Sequence, residues 1–148
     1  MWCEAALVSL AMAVALPIQA ATITADIGNV RNARGQVHVE VCPEGRFLKE
    51  DCPYTADTPA RTGVTAIIIR NVPPGLYAVQ AYHDENDNRR VDRALFGIPR
   101  EGVGFSNDAR ITFGPPKWKD AVFSVAGETH IHLNLRYFLG PSGPPPAH

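Results

Sequence analysis

The sequence predicts an all-β domain built as an antiparallel two-sheet sandwich with one long ordered loop, a small barrel being the alternative. Three observations carry this. Apolar and polar residues alternate with period two in several segments after residue 20, no segment there has a helical period, and Pro- and Gly-rich stretches separate them. Six or seven short strands in the roughly 128 residues after residue 20 suit two packed sheets.

Thr22–Ile27 puts Ile23, Ala25 and Ile27 on one face, and Gln36–Cys42 does the same with Val37, Val39 and Val41, so each strand has one wet face. Val64–Ile69 is a β-branched run containing Ile67, Ile68 and Ile69, which predicts a more deeply buried strand. It ends at Asn71-Val72-Pro73-Pro74-Gly75, a strong turn signal, and Leu76–His83 alternates again, predicting a hairpin-like pair. Ala121–Val125 and Thr129–Tyr137 close the domain around the turn Ala126-Gly127-Glu128. In the last strand Ile131, Leu133, Leu135 and Tyr137 point inward, while His130, His132, Asn134 and Arg136 face solvent. The domain therefore spans 21–139, and 140–148 reads as a disordered Pro-rich tail that has no apolar area to bury.

Residues 1–20 read as a secretory signal peptide. Ala5–Leu16 is an apolar run of 12, followed by Pro17 and the small-residue pattern Ile18-Gln19-Ala20. The run falls short of the roughly 18 to 20 residues needed to cross a bilayer, so no transmembrane span is expected in the mature protein. The stretch before it carries Glu4 and no Lys or Arg, which fits a start codon further upstream. Cys3 precedes the run and cannot serve as a lipoprotein attachment site. The expected address is exported, periplasmic or secreted.

Without residues 1–20 the chain has 14 acidic and 14 basic residues and no formal charge. A nucleic-acid binder needs a clustered basic face, and here only Arg89, Arg90 and Arg93 lie close together, so no nucleic-acid partner is expected. Cys42 and Cys52, with nine residues between them, predict a disulfide in an oxidising compartment. A metal or redox pair would want the C-x-x-C spacing that is absent.

The 34 residues from Asp84 to Lys117 exceed the roughly 12 to 15 at which a loop needs a reason to exist. They hold turn formers throughout, yet also Leu95, Phe96, Ile98, Phe105 and Phe113, with Trp118 just beyond, so an ordered flap packed on the sandwich is expected.

In this loop the chain resembles a known family. Tyr82-His83-Asp84-Glu85-Asn86-Asp87-Asn88, then Phe96-Gly97-Ile98-Pro99-Arg100-Glu101-Gly102-Val103-Gly104-Phe105-Ser106-Asn107, then Phe113-Gly114-Pro115-Pro116, with Pro74-Gly75-Leu76-Tyr77-Ala78-Val79 upstream, are similar to the bacterial family called domain of unknown function 2141. The resemblance covers Ala21 to Tyr137. It implies exported proteins with an immunoglobulin-like or transthyretin-like sandwich and no established reaction. Where that family has two glycines, this chain has Asp87 and Arg89, which disfavours a tight turn.

Three site readings follow. Asp84, Asn86, Asn88 and Asp92 fall at positions one, three, five and nine of a calcium-type loop, with the Arg90 carbonyl at seven. Against calcium, position six is Arg89 and position twelve is Leu95, and an ion-free Asx-rich turn would use the same side chains. His83 with His130 and His132 would form a transition-metal or catalytic site if the strands converge, the plainer reading being two exposed strand histidines and one that orients the loop. Glu101, Phe105, Asn107 and Trp118 would present the flap to an envelope or extracellular ligand, unless the rings fill the space beneath it. The expected function is an exported binding or structural module of the envelope, calcium-stabilised through residues 84–92. A metal-dependent enzyme is the alternative.

Overall fold

The computed structural model describes residues 11–147. The first half of the expected signal peptide's apolar run, with Cys3 and Glu4, lies outside them; residues 11–20 have no regular structure and are exposed.

The strands are β1 (Ala21–Val30), β2 (Gln36–Cys42), β3 (Tyr54–Pro59), β4 (Gly63–Val72), β5 (Gly75–Asp84), β6 (Val103–Phe105), β7 (Phe123–Val125) and β8 (Thr129–Asn134), with one helical turn, α1 (Trp118–Ala121). The first sheet has the order β4-β1-β8; the second has the order β3-β2-β5-β6, with β7 on the start of β5. Alternation does what it promised in β1 and β2, and β4, expected to be more deeply buried, alternates as well, with Val64 and Ile68 exposed on its outer face. Ile23, Ala25 and Ile27 from β1, Val37, Val39 and Val41 from β2, Ile67 and Ile69 from β4, and Leu133 from β8 fill the space between the sheets. Each such fully buried aliphatic contributes about 1.5–3 kcal/mol relative to exposure.

The antiparallel expectation holds everywhere except at β1 and β8, which run parallel from Ile23↔Thr129 to Gly28↔Asn134. These strands come from opposite ends of the domain, so no hairpin constrains their direction. Nor does Pro73-Pro74-Gly75 join a hairpin, because β4 pairs with β1 and β5 with β2. The two prolines offer no N–H to a ladder, and the chain crosses there from one sheet to the other. The 126–128 turn makes the return crossing, since β7 pairs with β5 and β8 with β1. The expected strand from Ala121 starts instead at Phe123, after α1.

β8 stops at Asn134, short of the predicted Tyr137. Leu135 still donates its N–H to the Gly28 carbonyl at 3.0 Å, but Arg136 exchanges backbone bonds of 2.8 and 3.0 Å with Val103 of β6. The chain end thus passes from the first sheet to the second. Gly104 permits this: a Cβ there would lie 2.7 Å from the Asn134 carbonyl oxygen.

The long loop is ordered, as expected, through β6 and short 3-10 turns at Leu95–Gly97 and Ser106–Asp108. It helps enclose a second small core outside the second sheet, where Cys42, Phe47, Cys52, Ala78, Phe105, Ala109 and Ala121 are buried. Phe47 meets Phe105 and Trp118 edge-on at 5.9 Å. Cys42 and Cys52 form the expected disulfide, with Cα atoms 4.9 Å apart. The Pro-rich tail lies against the domain as far as Ser142: Arg31 donates to the carbonyls of Leu139 and Pro141, and Asn29 to that of Ser142. Among the described residues no helix is long and apolar enough to cross a membrane.

Candidate functional site: a cleft on the outer face of the second sheet

The even residues of β2 point away from the core, and strand register gathers their partners. His38 stands between Asp57 of β3 and Tyr82 of β5; Glu40 stands between Thr55 and Gln80. Two polar rungs result. His38 Nδ1 lies 2.7 Å from Asp57 Oδ1 and its Nε2 lies 3.2 Å from Glu40 Oε1. An ionised carboxylate only accepts, so bonding both nitrogens requires the imidazolium form. Burial opposes that charge, but the bonds to Glu40 and Asp57 outweigh it and raise the pKa above its ordinary value. The Tyr82 ring packs against His38 with centroids 4.9 Å apart.

Gln80 ties this floor to the disulfide loop. Its amide donates to Glu40 and, at 2.7 Å, to the Lys49 carbonyl, while its oxygen accepts the Leu48 N–H at 2.8 Å. On the opposite side the long loop rises over β6, bringing Arg89, Arg90 and Arg93 to the same space. Between them lies a cleft of about 640 Å³, whose apolar lining includes Leu48, Val91, Pro99 and Ile111. Phe96 and Phe113 are 99 and 104 % exposed and directly adjoin the lining residues Gly97 and Gly114.

The loop carrying the arginines is fastened by three carboxylates, Asp84 and Glu101 buried and Asp92 partly exposed. Asp84 accepts the N–H groups of Asn88 (3.1 Å) and Arg89 (2.7 Å). Asp92 accepts from the side-chain amides of Asn86 (2.6 Å) and Asn88 (2.9 Å), which lower its pKa. Glu101, two residues before β6, accepts the N–H groups of Glu85 (3.1 Å) and Asp92 (3.4 Å). Burial, with the charges of Asp84 and Asp92, pushes the Glu101 pKa up to about 7. The positions that lack the family's glycines both adopt left-handed backbone, Asp87 at φ 56° and Arg89 at φ 62°. For a residue with a Cβ that conformation costs about 1–2 kcal/mol, less for Asp.

The other sequence-predicted groups are placed differently. His83 is fully buried: its Nδ1 meets the Tyr137 hydroxyl at 2.9 Å and its Nε2 the Arg34 carbonyl at 2.7 Å, so both nitrogens are taken. His130 and His132 are exposed on β8 in the first sheet, whereas His83 belongs to the second. The three do not converge, which removes the geometry of the transition-metal reading. Phe105 is 8 % exposed, so its ring is no ligand platform, whereas Trp118 is half-buried against the same cluster; among the described residues the fully exposed rings are Phe96 and Phe113. Asn107 donates to the carbonyls of Asp120 and Val122 and pins the flap, while buried Glu101 organises the loop. Glu40 also lies near Cys42 and Cys52, but sulfurs in a disulfide offer no thiolate to a metal.

Residues 25–132 match the model of a family described as uncharacterized protein conserved in bacteria, domain of unknown function 2141. The chain belongs to that family. No curated protein and no solved structure matches it. The matched stretch of this member of family 2141 contains the cleft floor, both loops that wall it and the disulfide.

The cleft floor is not legible in the sequence because β3 is not. Tyr-Thr-Ala-Asp-Thr-Pro has the polarity of a turn, and it forms an edge strand whose Pro59 ends the ladder. The signal available was the polar even set of β2, His38 and Glu40, matched by Gln80 and Tyr82 on β5.

Proposed function

We propose that this member of family 2141 is an exported binding module of the bacterial envelope that takes a small ligand in the cleft on its second sheet. The observation that carries this reading is the cleft itself. Its volume of about 640 Å³ is within the range of small-molecule sites, and a few convergent polar groups stand among apolar walls. Its floor is rigid, since His38, Glu40, Asp57 and Gln80 hold one another across three strands. Export rests on the apolar run and cleavage pattern of residues 1–20.

Thermal unfolding across a library of small metabolites tests it. A ligand at about 100 times its Kd raises stability by about 2.7 kcal/mol, and that gain should vanish in a His38→Ala, Tyr82→Ala double variant. If every stabilising compound acts equally on the variant, the cleft is not the site.

A second reading, calcium in the 84–92 loop, is favoured by Glu101. The loop lacks a carboxylate at position twelve, and Glu101, whose oxygens accept from the backbone of Glu85 and Asp92, is the outside carboxylate that would have to turn inward to replace it. Asp84, Asn86, Asn88, the Arg90 carbonyl and Asp92 would hold the ion, an all-oxygen set that suits calcium. Bound there, it would fix the loop that carries the arginines. A calcium-specific rise in melting temperature, absent with magnesium and lost in Asp84→Ala, supports this; an unchanged melt from EDTA to several millimolar calcium removes it.

A further inference from the structure

Resting on the reading of the cleft as a small-molecule site, we infer that its ligand is an organic anion: an acidic group docks on Arg89, Arg90 and Arg93, and a hydroxyl-bearing or apolar body lies along the two rungs of the floor.

The charges of the cleft are arranged unevenly. Its lining contains three guanidiniums on one five-residue stretch, plus Lys49, against the carboxylates of Glu40, Glu50 and Asp57. Of those carboxylates Glu40 is already spoken for: one oxygen faces His38 and the other accepts from Gln80. Asp57 gives one oxygen to His38, which carries a compensating positive charge. The single imidazolium offsets one of the two floor carboxylates, and with Glu50 the lining sets three acidic groups against Lys49, the His38 imidazolium and three guanidiniums, so the cleft is net positive and its excess sits on the arginine wall. Arg93 donates one N–H to the Gly97 carbonyl and Arg90 lies 3.6 Å from Asp92, which leaves most of their five donors each for a ligand. Planar guanidiniums match carboxylate or phosphate in a bidentate way that a scattered surface charge does not.

Arg89 strengthens the case. Its backbone sits at φ 62°, where glycine would be free of strain, and Asp84 holds it there by accepting its N–H. Strain of this kind persists where the surroundings over-determine it and is concentrated at functional sites. The side chain it delivers lines the cleft.

The other surfaces give less to any body the anion carries. Tyr82 and Thr55 present hydroxyls on the floor, and Leu48, Val91, Pro99 and Ile111 present apolar walls. A sugar acid or an aromatic acid satisfies both halves; a bare inorganic anion satisfies one.

The test is a backbone-amide NMR titration of the mature chain, residues 21–148, with two matched series. One series is glucuronate, glucose 6-phosphate, glucose and glucosamine. The other is benzoate, phenyl phosphate, benzyl alcohol and benzylamine. We expect the acids of at least one series to shift the amides of Gln80–Tyr82 and Arg89–Arg93, the neutral partner to bind at least about tenfold more weakly, and the amine not at all. The carboxylate and phosphate arms separate the two sources of anion. Arg89→Gly, which relieves the backbone and so keeps the fold, should weaken the acid about tenfold. Neutral or cationic members binding as well as the acids would overturn the anion inference and leave the binding cleft standing. No shift of these amides by any compound would remove the binding reading itself.

Discussion

The Tyr137 hydroxyl donates to Nδ1 of His83 at 2.9 Å and accepts the Arg31 N–H at 3.0 Å, so one phenol joins the end of the chain to both the second sheet and the β1–β2 connection. Nε2 of His83 must then carry the proton, which it gives to the Arg34 carbonyl. Tyr137→Phe leaves a buried imidazole nitrogen without its donor and should cost about 1–3 kcal/mol in a denaturant melt. Burial lowers the His83 pKa. The stability that neutral His83 contributes is therefore present above its unfolded pKa of about 6.5 and lost as pH falls through the lowered value. Nitrogen NMR at pH 6 should find the neutral Nε2–H tautomer; a doubly protonated ring would contradict the assignment.

His38 should behave in the opposite way. Burial works against its charge, but Glu40 and Asp57 raise its pKa, so the stability of that rung is fully present below about pH 6.5 and is lost as pH rises through the raised value. In the same NMR spectra at pH 6 both of its nitrogens should be protonated. Asp57→Asn removes one carboxylate and should bring its titration midpoint down; a midpoint that does not move would mean the Asp57 contact has no electrostatic weight.

The alternating strands were readable because each has one face against the core, and the disulfide because an even pair of cysteines leaves few options. Which strand pairs with which was not. Pro73-Pro74-Gly75 signals a reversal whether the chain returns to the same sheet or crosses to the other, and only tertiary packing decides. Likewise Phe105 and Phe96 look alike in sequence, yet one is 8 % and the other 99 % exposed, because β6 joins the second sheet and Leu95–Gly97 does not. The floor of the cleft draws its side chains from three strands, one of them hidden in a polar stretch, so the polar even set of β2 was a partial sign of it and the pairing that completes it was not legible.

Gly104→Ala should be among the more harmful single-methyl changes in this chain. The added carbon would lie 2.7 Å from the Asn134 carbonyl oxygen and 2.8 Å from a Leu133 methyl, so β6 and the end of β8 would have to part. Overpacking of this kind costs about 1–3 kcal/mol, readable as a lower denaturation midpoint with an unchanged slope. An unaffected midpoint would show that the two segments are not held together as described.

Arg89→Gly is expected to stabilise the protein by up to about 1 kcal/mol, because relief of the left-handed backbone outweighs the added freedom of the unfolded chain. A gain in melting temperature joined to weaker binding of an acidic ligand would be a stability–activity trade-off at one residue.

The passage of the chain end from β1 to β6 also bears on how the molecule comes apart. Residues 129–134 belong to one ladder and Arg136 to the other, with only Leu135 between, and Leu135 itself bonds back to Gly28. Neither sheet can melt at that end without pulling on its neighbour. Denaturation should accordingly be a single cooperative event, with amides of β1 and β6 exchanging hydrogen at similar rates despite lying in different sheets.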